Sequence, residues 1–320
     1  MTATNQRPVG SAHDETPLYV RAGNESVFGI LTRPVAEPNG LGVLFLHAGA
    51  QNLSSHRNAL WTQLARELAG IGYLSFRMDY HGTGDSSGLL VDRNVDGQTT
   101  LDVESVIDWL ANQEIDRLVV VGTCWGGIVG LTAAARREIV HSVCMVTSPI
   151  RLVELGGDPK KGRESEETVT GVISQFLSPR VIRLLLSERD YRAWALQRAK
   201  ARLRKVAAAA RGMAGRDHPG AAGGGESPGA ALLGVLRSRV VGIHMLFGEQ
   251  ERSYRELLTP EALPLLQANI DMFDVRVTPV RLHGLSTLRA QAVAHDQIIE
   301  WLEDIHASVL VHASQEATGT

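Results

Sequence analysis

The sequence predicts an α/β fold built on a mostly parallel sheet. Three observations carry that prediction. Short continuous apolar runs alternate with segments of helical apolar spacing, the pattern of strands buried on both faces joined by crossover helices. One such run passes at once through Gly122-Thr123-Cys124-Trp125-Gly126-Gly127 into a helix-like segment. The alternation then stops over residues 148–239 and resumes, which marks an insertion far longer than an ordinary connection.

After a polar leader, residues 18–22 and 27–32 read as two short strands about the turn Gly23-Asn24. Residues 41–47 are continuously apolar, a strand covered on both faces. Leu60, Leu64, Leu68 and Ile71 recur at helical spacing, and Gly72 can end that helix. A second buried strand, 73–78, runs into the turn-rich stretch from Asp79 to Gly88. Val103, Val106, Ile107 and Leu110 mark another helix. Residues 118–121 form a third buried strand, followed by a helix to Arg137 and a fourth strand at 143–146. The insertion begins with helix-like segments around 172–177, 181–186 and 191–210. Its second part, 211–229, is low-complexity Gly/Pro/Ala and is expected to be disordered. The α/β pattern returns with strands at 240–247 and 275–281 and a last helix carrying Ile298, Leu302 and Ile305. This divides the chain into core residues 1–147, a helical cap at 148–239, core residues 240–312 and a frayed polar tail at 313–320.

Composition bounds the function. With 44% apolar and 21% charged residues over 320 positions, the chain is neither collagen-like, a coiled coil, nor wholly disordered. A net charge of −3 gives no global attraction to nucleic acid. Only Lys160, Lys161, Lys200 and Lys205 of the 32 basic residues are lysine, and with abundant Ala and Gly this arginine bias reads as genome composition. Cys124 and Cys144 are too few for a disulfide framework or a structural zinc site, so no metal and no cofactor are implied. Residues 1–15 lack an apolar signal core and no apolar run approaches a membrane span, so a soluble cytoplasmic protein is expected.

The chemistry centres on Gly122-x-Cys124-x-Gly126. A nucleophile on a sharp strand-to-helix turn projects into a site, and Gly122 and Gly126 are needed because larger side chains would collide across the turn. The helix N-terminus supplies free N–H groups and partial positive charge that favour a thiolate and an oxyanion. Cys144 lies within a strand pattern and reads as a small core residue.

At these residues the chain resembles the α/β-hydrolase superfamily over residues 18–147 and 240–306, with the cap outside the resemblance. Besides the elbow, Leu46-His47-Ala48-Gly49-Ala50 is similar to the family's His-Gly-x loop, and Asp79-Tyr80-His81-Gly82-Thr83-Gly84-Asp85-Ser86 to its D-x-R-G-x-G-x-S turn, with His81 in place of arginine. Cysteine as nucleophile matches the dienelactone-hydrolase-like branch, and Ser55-His56-Arg57 resembles hydrolases associated with exosortase systems. The resemblance implies a mostly parallel twisted sheet with helices on both faces and a helical cap. It implies Cys124 as nucleophile, an acid at Glu251 or else Glu249, and His283, or else His295, as base. The oxyanion would be held by the N–H groups of Trp125 and of Ala48 or Gly49.

Three functions follow. The first is hydrolysis or transfer of an acyl group from a small-molecule ester or thioester, in specialised polyketide-type metabolism. The second is a lyase of the same fold that eliminates acetate from an O-acetylated tetronate-type intermediate. The third is a non-catalytic binding protein. The insertion helix from Arg189 to Arg211 carries eight basic residues against Asp190 alone, which offers a docking face for an acyl carrier protein or, more simply, a solvated helix face.

Overall fold

A computed structural model of the chain describes residues 13–48, 53–89, 97–149, 238–239, 241–258 and 262–318. These fall in the larger of two units, Met1–Gly157 with Ser227–Thr320. The expected cap, with its basic helix and its 211–229 segment, lies outside the described residues.

Eight strands form one sheet in the order β1-β2-β4-β3-β5-β6-β7-β8. The first two, β1 (His13–Ala22) and β2 (Glu25–Pro34), make an antiparallel hairpin about Gly23, whose φ of 63° suits the tight turn. β2 runs antiparallel to β4 (Leu74–Met78). The remaining strands, β3 (Leu41–Leu46), β5 (Arg117–Thr123), β6 (Val140–Val146), β7 (Gly242–Gly248) and β8 (Phe273–Thr278), are mutually parallel, and β3 is also parallel to β4. All parallel strands therefore end on one rim.

The period-two alternation of each strand sorts the core into two layers. Val43, Phe45, Val119, Val121 and Val146 meet helices α1 (Leu60–Gly70) and α6 (Leu288–Thr318) on one face. Leu44, Leu46, Val120, Met145 and Phe247 build the other core with α2 (Gln98–Leu110) and α3 (Trp125–Ala134). Both faces of the central strands are thus dry, which is why they read as uninterrupted apolar runs. Arg77 breaks that pattern in β4. It is buried, and its guanidinium is met by the Glu15 carboxylate of β1 at 2.6 Å. A buried cation needs such a partner.

Two helices between β7 and β8, α4 (Arg252–Leu257) and α5 (Ala262–Asn269), have no counterpart in the sequence reading. The last strand ends at Thr278, three residues short of the expected 281, and the chain after it turns. The expected frayed tail from Ala313 is helical as far as Thr318; Ala and Gln there are good helix formers. No described helix is long and apolar enough to cross a membrane.

Candidate active site

The nucleophile candidate sits where β5 meets α3. Cys124 caps α3 with φ 50° and ψ −112°, a left-handed conformation that a non-glycine residue holds only when its surroundings enforce it. The enforcement is visible in its neighbours. The Cys124 N–H donates to the Val146 carbonyl of β6 at 2.9 Å. A side chain at Gly122 would strike the main chain of Gly126 and Gly127, and one at Gly126 would lie 2.6 Å from the Leu46 carbonyl oxygen and 2.8 Å from that of His47. The end of β3 is thus pressed against the first turn of α3. Cys124 is half-buried and unpaired in any disulfide. The first N–H groups of α3 have no carbonyl partner within the helix, and Trp125 supplies the first of them. The Trp125 indole packs partly buried against the core, with its own N–H lacking a hydrogen-bond partner.

The segment after β3 carries the other oxyanion candidates. Ala48 is half-buried directly after His47; Gly49 lies outside the described residues. The Asp79–Ser86 turn holds this segment from below. The Tyr80 hydroxyl donates to the His47 carbonyl at 3.0 Å, and Asp79 Oδ1 accepts the Ser54 N–H at 2.5 Å. The His47 ring nitrogen Nε2 stands 3.9 Å from the same carboxylate. Burial pushes the Asp79 pKa up, against the hydrogen bonds it accepts. His81 is buried, and its main-chain N–H donates to Asp102 at 2.9 Å. The Tyr80 and Asp79 hydrogen bonds tie the turn to His47 and Ser54, on either side of the segment after β3.

The acid candidate follows β7. Glu251 is buried, and its Oε1 accepts the Leu282 N–H at 2.6 Å. Its other oxygen, Oε2, is buried with no hydrogen-bond partner. Burial raises the Glu251 pKa, while the N–H groups of Leu282, His283 and Gly248 and the nearby His283 ring favour the carboxylate. Gly248 permits this approach, since a Cβ there would lie 2.5 Å from the Val280 carbonyl oxygen. Glu249, the alternative acid, is solvent-exposed.

His283 begins a 3-10 turn, His283–Leu285, after β8 and is exposed. The structure brings Glu251 against the main chain of the His283 turn. It does not join the His283 ring by a hydrogen bond to Cys124 or to the Glu251 carboxylate. His295 lies on α6, its ring 3.0 Å from Glu67, and His141 and His244 lie in strands β6 and β7. Among the described residues, no group of three or more His, Cys, Asp or Glu side chains is placed to hold a metal.

Unusual backbone conformations gather at the same rim. Among the described residues, six non-glycine positions have positive φ: His56, Asn58, Ala59, Cys124, Thr147 and Leu285. Each lies in a segment that leaves the rim end of β3, β5, β6 or β8. Strain of about 1–3 kcal/mol per residue is retained where structure over-determines it, and such positions gather at functional sites. Of these, the sequence pointed to a strained turn only at Cys124; His56 entered only through the Ser55-His56-Arg57 resemblance, because positive φ at the others is set by tertiary contacts.

The comparisons with known proteins point to one fold. The profile of a family described as alpha/beta hydrolase fold matches residues 43–205. A Pyrococcus furiosus esterase superposes with a TM-score of 0.58 at 14% identity, covering 95% of each chain. A Mycobacterium smegmatis proline iminopeptidase gives a TM-score of 0.54 at 16% identity, over 92% of this chain and 100% of that one. The Butyrivibrio proteoclasticus protein Est1E, solved with ferulic acid bound, gives 0.53 at 14% identity, over 90% of this chain and 98% of that one. No curated protein matches the sequence.

Proposed function

This chain belongs to the α/β-hydrolase fold family, and from that premise we propose that it cleaves or transfers an acyl group of an ester or thioester through Cys124, His283 and Glu251. The observation that carries the reading is the enforced left-handed conformation of Cys124 at the start of α3. A nucleophile on such a turn projects beside the free N–H groups of a helix start, which supports an acyl-transfer role.

The chemistry proceeds in two halves. His283 takes the Cys124 proton, and the thiolate attacks the carbonyl carbon. The oxyanion is held by the Trp125 N–H together with an N–H of the segment after β3, from Ala48 or Gly49. Collapse breaks the bond to the leaving oxygen or sulfur, which departs with the proton from His283. Water, activated by His283, or another acceptor then attacks the thioester and frees the thiolate. Glu251 orients the imidazole and stabilises its cation. Its buried, unpartnered Oε2 is the atom available to accept the His283 Nδ1–H when the ring turns toward it. The specialised-metabolism setting and an acidic carrier as acyl donor rest on the sequence resemblance and on the basic 189–211 segment.

Intact-mass spectrometry after exposure to a panel of esters and thioesters tests this reading. The expected result is an acyl adduct on Cys124, longer-lived in His283→Ala and absent in Cys124→Ala. Turnover undiminished in Cys124→Ala would overturn it. Release of acetate from an O-acetylated substrate with no adduct at any time would indicate elimination instead.

A further inference from the structure

One buried side chain joins the two strained segments that flank the proposed site. Gln291 lies in the first turn of α6, buried, with both halves of its amide committed. Its Oε1 accepts the Asn58 side-chain N–H at 3.1 Å, and its Nε2 donates to the Leu285 carbonyl at 2.7 Å. Asn58 has φ 50° and lies between His56 and Ala59, themselves at 58° and 59°; Leu285 has φ 43°. Both ends of the bridge therefore sit in backbone that relaxes unless held. Gln291 is itself fixed, because Thr287 caps α6 by accepting the Ala290 N–H at 3.1 Å on its hydroxyl and the Gln291 N–H at 3.0 Å on its carbonyl.

The bridge completes a tether around His283. On its N-terminal side, Leu282 is held by Glu251. Within the turn, the Leu285 N–H donates to the Leu282 carbonyl at 2.7 Å. On its C-terminal side, Leu285 is held by Gln291. Through Asn58 the same amide reaches the segment that follows the oxyanion loop and is anchored to Asp79 by Ser54. We infer that Gln291 is a positioning residue, which keeps the His283 turn in register with the segment from Ser54 to Ala59 that follows the oxyanion candidates. The inference rests on the proposed triad and deepens it. Its chemical content is that a base and an oxyanion donor carried on separate strands must be fixed within a fraction of an ångström of each other.

Gln291→Glu isolates the bridge: it keeps an acceptor for Asn58 and removes the donor to Leu285. Asn58→Ala breaks the other half from an exposed position. Two readouts separate positioning from folding. One is kcat against KM on a p-nitrophenyl ester; the other is the pH profile of iodoacetamide alkylation at Cys124. Gln291→Glu is expected to lower kcat about 10–100-fold with KM changed less than about threefold. It is also expected to move the alkylation profile toward that of His283→Ala. Asn58→Ala should do the same on a scale of about 3–10-fold, and it decides the matter if Gln291→Glu fails to fold. If His283→Ala alters the profile while both bridge variants match wild type, the positioning role is wrong and the triad stands. If His283→Ala also matches wild type, the triad falls and the inference falls with it.

Discussion

The chain contains two cysteine–histidine combinations, and the proposed function uses only one of them. The first is Cys124 with His283, each at the rim just beyond a parallel strand. The second is Cys144 in β6, whose register partner in β7 is His244, with Asp274 Oδ2 only 2.8 Å from the His244 ring. By composition the second is a complete Cys-His-Asp set. Its setting disarms it. Burial pushes the Cys144 thiol up and the His244 ring down to about 4, so each is held in the neutral form. A thiolate–imidazolium pair needs the opposite shifts. The imidazole also lies flat against Trp301, with ring centroids 4.8 Å apart, and the Cys144 and His244 side chains are both buried. Residue identity alone therefore does not make a nucleophile, and the proposed role of Cys124 rests instead on its strand-to-helix turn, where the sulfur is half-buried at the start of α3.

The sharpest way to break this comparison is to delete each sulfur in turn. Cys124→Ala is expected to lower ester turnover by about 10⁴-fold or more, as loss of a nucleophile does. Cys144→Ala should leave kcat within about twofold and cost only about 1–2 kcal/mol of stability through a small cavity. Comparable activity losses in the two variants, measured at equal folded fraction, would sink the distinction.

The glycines offer the next test, because the same contrast between rim and remainder exists there. At Gly126 an added methyl would press on two backbone carbonyl oxygens of the β3 end, which cannot rotate away. At Gly23, in the β1–β2 hairpin, it would meet nothing within 4 Å, so only the positive φ opposes it. Gly126→Ala should therefore cost about 3 kcal/mol or more and lower kcat among the molecules that still fold. Gly23→Ala should cost about 1 kcal/mol and leave kcat untouched. Urea midpoints and kcat for the pair decide it; equal losses would mean that the elbow is not tightly packed.

The rim was partly legible in the sequence for the same physical reason. Gly122 and Gly126 are glycines because the turn leaves no room, so the constraint is written in residue type. The buried central strands were legible because dry faces demand continuous apolar runs. The strain at His56, Asn58, Ala59 and Leu285 was not, since ordinary residues hold it through tertiary contacts that no local pattern records. The Gln291 bridge spans 233 residues to Asn58 and leaves no periodic trace. Helices α4 and α5 are too short for a helical period to stand out. The choice between Glu251 and Glu249 could not be made from spacing alone, whereas burial and the Leu282 N–H distinguish their surroundings.

The smallest effect concerns how the interior titrates. His244 keeps a pKa of about 4, below its ordinary 6.5, because burial and the Arg276 charge outweigh the pull of Asp274 and Asp304. Above pH 6.5 the ring is neutral in folded and unfolded chains alike, so it adds no pH dependence. Between 6.5 and 4 the unfolded chain takes up the proton and the folded one does not, so stability falls as the pH falls. The loss is complete below about 4 and amounts to at most about 3 kcal/mol. His56, buried against Trp61 and also held at about 4, acts in the same direction. Asp79, Asp102 and Glu251, whose pKa values are raised by burial, act in the opposite direction at the acid end. Wild type alone therefore reports a mixture, and a variant is needed to isolate one ring. His244→Phe keeps the stacking on Trp301 and removes the titration. Relative to wild type it should gain about 2 kcal/mol in stability on going from pH 7 to pH 4.5, read from urea midpoints at both values. If the two proteins lose stability in parallel, the interior histidine is not held neutral by burial, and the contrast between the two cysteine–histidine pairs loses its electrostatic basis.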